Sequence, residues 1–262
     1  MTKHIIEARV AGRRVLNATT NEIDLVAPEI AATAVPGQFV NLRVSRHTAP
    51  LLRRPFGVAR VDREKGTITL MYRILGEATK MLAEVREGET LSVVGPLGHG
   101  FCLEAERPLL VGGGLGLAPL LYLAEAFREK AEVGAGRKAD VLMGGRTAED
   151  LFWKEIFVPC GEKIGLTTDD GSLGTKGTVM AALPEMLAEG GYDCVYVCGP
   201  VPMMRAVSEA VLAAGIRCQV SLEKYMGCGL GACLSCSCGG IGKRLKVCTD
   251  GPVFWAEEVG EW

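Results

Sequence analysis

The sequence has no excess of charge of either sign. Its 262 residues include 29 Lys and Arg against 31 Asp and Glu, which leaves a formal net charge of -2. Domains that bind nucleic acids usually carry a basic excess that neutralises phosphates. We therefore expect that nucleic acid is not a partner of this protein.

Long hydrophobic runs are also missing. The first sixteen residues are interrupted by Lys3, Glu7 and Arg9 and contain no continuous apolar segment of the kind found in secretory signals. The longest uncharged run, residues 108–124, contains glycines and prolines and is shorter than the roughly 20 residues that span a bilayer. We therefore expect a cytoplasmic protein that does not enter a membrane.

Two patterns of secondary structure follow each other along the chain. Residues 4–98 show short alternating apolar segments separated by turn signals such as Pro36-Gly37 and Gly95-Pro96, which predicts a small antiparallel barrel or sandwich. After Gly100, apolar strands alternate with helical stretches, which predicts a parallel sheet covered on both faces. The predicted strands of this second part are Leu109–Val111, Val141–Met143, Ile164–Thr167, Cys194–Val197 and Cys218–Leu222, and the predicted helices are Ala118–Lys130, Val179–Ala188 and Pro202–Ala214.

Ten cysteines are present, and half of them lie close together in the last part of the chain. Cys228, Cys233 and Cys236 are separated by four and two residues, and Cys248 follows after eleven more. This is the spacing with which plant-type ferredoxins bind a two-iron two-sulfur cluster. The alternative is structural zinc, which is usually bound by two closely spaced pairs of ligands. Cys238 is a fifth cysteine in this segment, and we expect it to be a buried neighbour of the cluster.

Glycines surround these cysteines, and the segment has too few apolar residues for a core of its own. Gly227, Gly229 and Gly231 leave backbone N–H groups uncovered, and such groups stabilise the negative charge of a cluster bound by four thiolates. We therefore predict that a metal cluster holds the segment from Lys224 onward together.

A second glycine-rich segment follows the apolar residues 109–111. A strand, a glycine turn and a helix start bring backbone N–H groups and a positive helix end to a pyrophosphate. The segment departs from the usual dinucleotide motif, because Leu117 stands where a third glycine is expected and the second strand ends at Gly144-Gly145-Arg146 without an acidic residue. The glycines concerned are Gly112, Gly113, Gly114 and Gly116.

This turn resembles that of the ferredoxin-reductase family, whose members carry Gly-Gly-Gly-x-Gly-x-Ala-Pro in a nicotinamide domain that follows a flavin-binding barrel. Cys198-Gly199-Pro200 resembles the family's segment near the nicotinamide, which implies a catalytic role for Cys198 and cofactor contacts for Gly199 and Pro200. The alternative for Cys198 is a thiol that is only packed in a strand.

In the first domain, Arg54-Pro55-Phe56-Gly57 resembles the family's Arg-x-Tyr-Ser motif, which implies FAD binding with the arginine at the pyrophosphate. Gly57 stands in place of the hydroxyl residue, so the side chain at that position offers no hydrogen bond to the flavin. Met71, Tyr72, Arg73, Ala78 and Thr79 occupy positions that bind more of the FAD in relatives; alternatively, Arg73 is a solvated strand end and Thr79 a helix cap.

The order of domains and several further segments, among them Glu223-Lys224-Tyr225-Met226 and the residues from Val247 to Phe254, resemble the electron-transfer subunits of type B dihydroorotate dehydrogenases over nearly the whole chain. The resemblance implies a multidomain α+β protein with an antiparallel β-barrel for FAD (residues 1–100), an α/β parallel-sheet domain for NAD (101–222) and a small two-iron two-sulfur domain (223–262). Cys228, Cys233, Cys236 and Cys248 are the expected cluster ligands.

The resemblance further implies a heterotetramer with two copies of an FMN-containing catalytic subunit, in which electrons from dihydroorotate reach NAD through the cluster and FAD. The alternatives are a gamma-type subunit of a sulfhydrogenase, the small subunit of a ferredoxin-NADP transhydrogenase, or a zinc-bearing binding module without catalysis. The residues alone do not distinguish NAD from NADP, because Arg146 fits either a 2′-phosphate contact or a simple strand end.

Overall fold

The alternating apolar segments near the start of the chain form a closed antiparallel barrel. A computed structural model describes residues 2–45 and 47–262. The barrel strands are β1 (His4–Val15), β2 (Thr20–Val26), β3 (Phe39–Arg43), β4 (Arg54–Asp62), β5 (Thr67–Arg73) and β6 (Thr90–Leu97). They follow one another around the barrel in the order β1-β2-β5-β4-β3-β6. Of the two predicted architectures, the barrel is therefore confirmed.

Strand β3 shows how the barrel is filled and what covers it. Successive side chains of a strand point to opposite faces. Val40 and Leu42 are completely buried in the barrel core, whereas Phe39 packs on the outside against Leu97 and residues of the C-terminal segment. Two short helices complete this half, α1 (Pro28–Thr33) and α2 (Glu77–Glu84). One outer face of the barrel is therefore an interior surface of the whole molecule.

The second half is a seven-stranded sheet covered by helices. Its strands are β7 (Pro108–Gly113), β8 (Ala139–Gly145), β9 (Gly161–Thr168), β10 (Thr175–Lys176), β11 (Cys194–Cys198), β12 (Arg217–Ser221) and β15 (Val253–Trp255). They lie in the order β10-β9-β8-β7-β11-β12-β15, and only β15 is antiparallel to its neighbour. The helices are α3 (Leu117–Glu132), α4 (Trp153–Phe157), α5 (Leu183–Gly190) and α6 (Val201–Ala213). The predicted parallel sheet is confirmed.

The predicted helix over Val179–Ala188 is wrong in its extent. A 3₁₀ turn covers Val179–Ala181, and α5 begins only at Leu183. Pro184 stands in the first turn of α5. Proline lacks an N–H group and clashes with the preceding turn, so it is tolerated at a helix start but not within a helix. The chain therefore makes two short elements where the apolar pattern predicted one.

The C-terminal segment is fused to both halves. It contains a hairpin, β13 (Ser237–Gly240) and β14 (Lys243–Lys246), and then returns as β15 to extend the large sheet next to β12. Val247 and Phe254 are buried in the same core as Phe39 and Val220. Because this segment shares a core with the rest, the domain limits at residues 100 and 222 stay a prediction. No helix of the described residues is both long and apolar enough to cross a bilayer.

Helix α3 fastens the barrel to the sheet. Arg60 Nε on β4 lies 2.8 Å from Glu125 Oε1 on α3, and the Tyr122 hydroxyl donates to the Ala34 carbonyl over 2.9 Å. Burial raises the pKa of Glu125, while the neighbouring Arg60 acts in the opposite direction. These contacts join α3 to the second half of β4 and to the segment that follows α1.

Candidate functional site

A crevice lies at the carboxyl ends of β7 and β11. From β7 the chain proceeds to β8, β9 and β10 on one side, and then crosses to β11 and β12 on the other side. Ligands of open α/β sheets bind at such a switch point, outside the carboxyl ends of the strands. The glycine turn Gly112–Gly116 and the segment Cys198–Pro200 line this crevice, so the structure brings these two predicted segments together.

The four glycines of the turn have different roles. A Cβ atom at Gly112 would lie 2.4 Å from the Leu117 side chain, and one at Gly116 would lie 2.4 Å from the Cys198 carbonyl oxygen. A Cβ at Gly113 would meet the Met203 sulfur at 2.8 Å. Gly114 has a φ of +57°, and a Cβ atom there would have only the Arg73 guanidinium within 4 Å among the described residues, at 3.7 Å. Three glycines therefore permit close packing, and Gly114 faces the barrel.

Arg54, Pro55, Phe56 and Gly57 are the first four residues of β4. Arg54 Nη1 donates to the Leu52 carbonyl over 2.5 Å, and the Phe56 ring meets the Tyr72 ring edge-on with centroids 5.9 Å apart. A Cβ at Gly57 would make an ordinary contact of 3.6 Å with Pro119 of α3. Gly57 therefore lies where the barrel meets the helix start of the nicotinamide half, and a Cβ atom has room there.

Met71, Tyr72 and Arg73 end β5, and Met71 and Tyr72 are almost fully buried. Arg73 extends toward Gly114, and its Nε atom is buried without a hydrogen-bond partner in the described part of the chain. An unpaired buried guanidinium N–H is costly unless it is satisfied by an anion or another acceptor. Arg73 therefore fits the predicted contact with an FAD phosphate better than the alternative of a solvated strand end.

Ala78 and Thr79 lie in the first turn of α2. Ala78 packs in the barrel core. The Thr79 hydroxyl accepts the Leu75 and Gly76 N–H groups at 3.0 and 3.2 Å and donates to the Gly76 carbonyl at 3.0 Å. The alternative of a helix cap therefore describes the side chain of Thr79, and FAD binding at these two residues stays a prediction.

Cys198 is the last residue of β11 and is 1% exposed. Its thiol lies 3.7 Å from the Ser221 carbonyl oxygen. Burial strongly raises the pKa of this thiol, and the Glu223 carboxylate adds to the effect. Cys198 is therefore a neutral thiol at physiological pH, which is suited to packing at the crevice floor and to contact with a neutral ring, and not to nucleophilic attack.

Arg146 follows β8 and is already paired. Its Nε lies 3.0 Å from Asp150 Oδ2, and its backbone N–H donates to the same oxygen over 3.1 Å. Partial burial opposes ionisation of Asp150, but the hydrogen bonds from Arg146 hold the pKa of Asp150 below its usual value. Asp169 and Asp170 begin the turn that follows β9, and the Asp169 carboxylate adds negative charge near Arg146. This end of the crevice therefore disfavours the extra charge of a 2′-phosphate.

The four predicted cluster ligands are gathered in two pairs. The backbone N–H of Cys228 points at the Cys233 sulfur over 3.3 Å, and the Cys233 N–H points back at the Cys228 sulfur over 3.4 Å. Cys236 and Cys248 are buried neighbours whose thiols interact directly. In the described part of the chain, no three His, Cys, Asp or Glu side chains form a group for one metal ion.

Backbone N–H groups surround the sulfur atoms, as an anionic cluster requires. The Leu230 N–H points at the Cys228 sulfur over 3.3 Å, and a Gly231 N–H contact acts on Cys248. Two thiol pairs with N–H donors fit a two-iron cluster, in which each iron takes two thiolates. Leu234, between two of the predicted ligands, has a φ of +62°, a strained conformation often found in ligand-binding loops.

Ser235 is a residue of this loop that sequence reasoning did not single out. Its Oγ accepts the Gly227 N–H at 2.8 Å and lies 3.2 Å from the Cys233 sulfur. This hydroxyl, together with the Ser235 and Cys228 backbone groups, lowers the pKa of Cys233 to about 6, whereas burial raises the pKa of Cys248 to about 11. A hydroxyl placed between Cys233 and Cys236 was the available signal for this role.

Comparisons with known proteins agree with this arrangement. Three family models match the chain: an oxidoreductase FAD-binding domain over residues 10–101, an oxidoreductase NAD-binding domain over 110–209, and the iron-sulfur cluster binding domain of dihydroorotate dehydrogenase B over 223–260. They support FAD, NAD and an iron-sulfur cluster as the cofactors of this oxidoreductase subunit.

Individual relatives cover nearly the whole chain. Two proteins named "Dihydroorotate dehydrogenase B (NAD(+)), electron transfer subunit" come from Bacillus caldolyticus (40% identical; 95% of this chain and 96% of that protein) and Caldanaerobacter subterraneus subsp. tengcongensis (44% identical; 86% of each). A solved structure of an NADH-dependent reduced ferredoxin-NADP oxidoreductase superposes with a TM-score of 0.86 at 30% identity, over 98% of this chain and 90% of that chain.

The predicted ferredoxin-reductase-like architecture is thereby confirmed, and so is the expected relationship. With a flavin barrel, a nicotinamide sheet and a four-cysteine tail in the same order as in these relatives, the chain belongs to the family of electron transfer subunits of dihydroorotate dehydrogenase B.

Proposed function

We propose that this chain takes up electrons from the FMN of a catalytic dihydroorotate dehydrogenase subunit and delivers them to NAD+ through a two-iron two-sulfur cluster and FAD, as a step of pyrimidine biosynthesis in the cytoplasm. The observation that carries the proposal is the paired set of four cysteines on a loop that lies against the flavin-binding half. When bound, FAD supplies the exchange between hydride transfer, which moves two electrons, and the one-electron chemistry of the cluster.

The proposed reaction balances in electrons and protons. Oxidation of dihydroorotate to orotate releases two electrons and two protons, and NAD+ takes up the electron pair with one proton while the other goes to solvent.

The residues divide into three sets by the cofactor that they would hold. Cys198 would border the nicotinamide as a neutral thiol. The cluster would be held by Cys228, Cys233, Cys236 and Cys248; FAD by Arg54, Pro55, Phe56, Gly57, Met71, Tyr72, Arg73, Ala78 and Thr79; and NAD by Gly112, Gly113, Gly114, Gly116, Gly199 and Pro200.

The surface around the cysteine loop supports docking of the catalytic subunit at this place. Tyr225, Leu230, Leu234 and Ile241 are 96%, 45%, 62% and 68% exposed. Exposed apolar side chains that are grouped in one segment are typical of protein interfaces. We propose that two copies of this chain and two catalytic subunits form the complex, with each cysteine loop facing a catalytic subunit.

Co-expression with an FMN-containing dihydroorotate dehydrogenase tests this proposal. We expect the two chains to co-purify and to reduce NAD+ when dihydroorotate is added. Tyr225→Asp combined with Ile241→Asp should abolish co-purification and leave NADH oxidation with artificial acceptors intact. Val133→Asp is the matched control, because Val133 is 79% exposed at the end of α3. Equal loss of co-purification in the control would contradict the docking surface.

The transhydrogenase-type alternative has one observation in its favour, the 30% identity to the ferredoxin-NADP oxidoreductase chain. The identity of 40–44% to dihydroorotate dehydrogenase subunits is higher, so this alternative is not favoured. Nicotinamide turnover that is restored by a transhydrogenase partner and not by a dihydroorotate dehydrogenase would reverse this choice.

A further inference from the structure

One buried amide connects the cysteine loop to the barrel. Asn41 lies on β3, is 0% exposed, and its Nδ2 donates to the carbonyl oxygen of Cys228 over 3.2 Å. The two residues are 187 positions apart in the sequence. A hydrogen bond that is shielded from water contributes more to the order of a loop than one at the surface. The backbone of the first predicted cluster ligand is therefore held by a barrel side chain.

The position of Asn41 in the barrel links this contact to the flavin motif. In the antiparallel pairing of β3 with β4, Asn41 lies opposite Pro55, and Phe39 lies opposite Gly57. Directly opposite residues of an antiparallel pair are about 5 Å apart and their side chains point to the same face. Asn41 is therefore one strand spacing from the segment that is predicted to bind FAD, and it is on the outer face of the barrel.

A glycine of the cysteine loop, Gly229, makes room for the Asn41 amide. Gly229 is buried with a φ of +70°, and a Cβ atom there would lie 2.2 Å from Asn41 Nδ2 and 3.4 Å from Leu97. Only glycine lets the loop approach the barrel so closely. On the barrel side, Arg53 steadies the strand, because its Nη1 donates to the Ser92 carbonyl over 2.7 Å and to the Asn41 carbonyl over 3.4 Å.

Asn41 has unused capacity for a hydrogen bond. Its Oδ1 is buried and has no partner in the described residues. A buried acceptor without a partner costs free energy, and such atoms are retained where they serve a ligand or a geometry. A purely structural amide at this position would be expected to satisfy both of its polar ends.

We propose that Asn41 is a positioning residue that fixes the Cys228 end of the cluster loop against the flavin-binding strand, and that it thereby sets the rate of electron transfer between FAD and the cluster. This inference rests on the proposed function for its consequence. The contact itself, between a barrel amide and a ligand loop, does not depend on the identity of the partner subunit.

Asn41→Leu is the first test, because leucine keeps the volume and removes the donor. Hydrogen exchange of the Cys228 and Leu230 amides should become about tenfold faster, which corresponds to about 1.4 kcal/mol of lost protection. In stopped-flow experiments with NADH, reduction of FAD should keep its rate while the following reduction of the cluster, followed by its visible absorbance, slows several-fold. Unchanged amide exchange together with an unchanged cluster phase would overturn the proposal.

Gln38→Leu is the matched control. Gln38 is a barrel amide that is also 0% exposed; its Oε1 accepts the Val35 N–H over 3.0 Å, and its Nε2 donates to the Gly98 carbonyl over 2.7 Å. We expect this variant to lose stability without faster exchange at Cys228 and Leu230 or a slower cluster phase. The same loop effects in both variants would show a general loss of stability and contradict a positioning role.

A double-mutant cycle covers the case in which Asn41→Leu does not take up the cluster. Gly229→Ala should displace the loop, and Asn41→Ala should relieve part of this displacement, since it removes the atom that the new Cβ would meet. Hydrogen exchange of the loop in cluster-free protein reports the coupling. Additive effects of the two substitutions would refute the contact between Asn41 and the loop. Absence of iron from the wild-type chain is a different outcome, and it would refute the proposed function.

Discussion

Cys233 in the C-terminal segment and the thiols of the parallel sheet belong to the same residue type but have opposite surroundings. Cys233 is exposed, lies beside the Ser235 hydroxyl and the Cys228 N–H, and its pKa is lowered to about 6. Burial raises the pKa of Cys194 to about 11 and that of Cys218 to about 12. The difference shows that neighbouring hydrogen-bond donors lower the pKa of a thiol, whereas burial raises it, as it also does for Cys248 within the C-terminal segment.

Glycines also have different roles in the parallel sheet and in the C-terminal segment. In the sheet, Gly112 and Gly116 let neighbouring atoms pack at distances that a Cβ would block. In the tail, Gly229 and Gly231 have positive φ values and shape a loop whose N–H groups point at sulfur. A glycine-rich turn in the sheet is thus a packing device with one open position, whereas the tail is a ligand loop.

The largest effect on the cluster is expected from replacing Cys233 in the C-terminal segment, and Cys218 of the sheet provides the comparison. Cys233→Ser should remove the iron, the acid-labile sulfide and the cluster absorbance, because one thiolate of the predicted set is lost. Dihydroorotate-driven NAD+ reduction should then fall to background, while NADH oxidation with artificial acceptors continues through FAD. Cys218→Ala should keep the cluster and lose about 1 kcal/mol of stability. Metal analysis and absorbance check both variants, and a retained cluster in Cys233→Ser would refute the ligand set.

A glycine of the sheet should be the next most sensitive position. Gly116→Ala places a Cβ 2.4 Å from the Cys198 carbonyl oxygen, and we expect a loss of about 1–3 kcal/mol in the free energy of unfolding. The KM for NADH should rise with it, because the strand end must move. Urea unfolding and steady-state kinetics measure these effects. Iron content should be unaffected, and loss of the cluster here would show that the two regions are not independent.

The pH dependence of the free energy of unfolding tests whether a buried thiol is shielded from water. The pKa of Cys160 is raised by burial from its ordinary 9.0 to about 11, so the folded state keeps this proton longer than the unfolded state. Its stabilising contribution is present below about pH 9 and is lost as the pH rises toward 11, at roughly 1.4 kcal/mol per pH unit. Cys160→Ala should make this alkaline loss shallower in urea titrations at pH 8 to 11. An unchanged slope would show that Cys160 is not shielded from water.

The smallest effect should appear where the crevice meets the adenosine end of the nucleotide. Asp150→Asn removes the carboxylate that pairs with Arg146. We expect kcat/KM for NADPH to rise roughly fivefold, since an exposed ion pair is worth under about 1 kcal/mol. Asp150→Asn combined with Arg146→Ala should show no gain. Kinetics with both nucleotides test this, and an equal rise for NADH would mean that charge at this end does not discriminate between them.

Much of this organisation was predictable because it is local in the sequence. Alternation in residues 4–98 predicted a barrel or a sandwich, of which the structure has the barrel, and the apolar strands after Gly100 predicted the parallel sheet. The cysteine spacing sufficed for the cluster prediction. The break in the helix after Val179 was missed because the apolar pattern continues through Pro184, although the proline itself was visible. Ser235 was missed because a small polar residue between two cysteines resembles an ordinary turn residue.

The sequence by itself determined which segments become strands, where the chain turns, and which four thiols are spaced for a cluster, since these depend on neighbours within a few positions. Only the tertiary structure decided that β15 returns to the sheet, that Arg73 meets Gly114, and that Asn41 holds Cys228. These contacts join residues far apart in the chain. The pKa of each thiol depends in the same way on the atoms that folding places around it, and sequence spacing carries no record of those atoms.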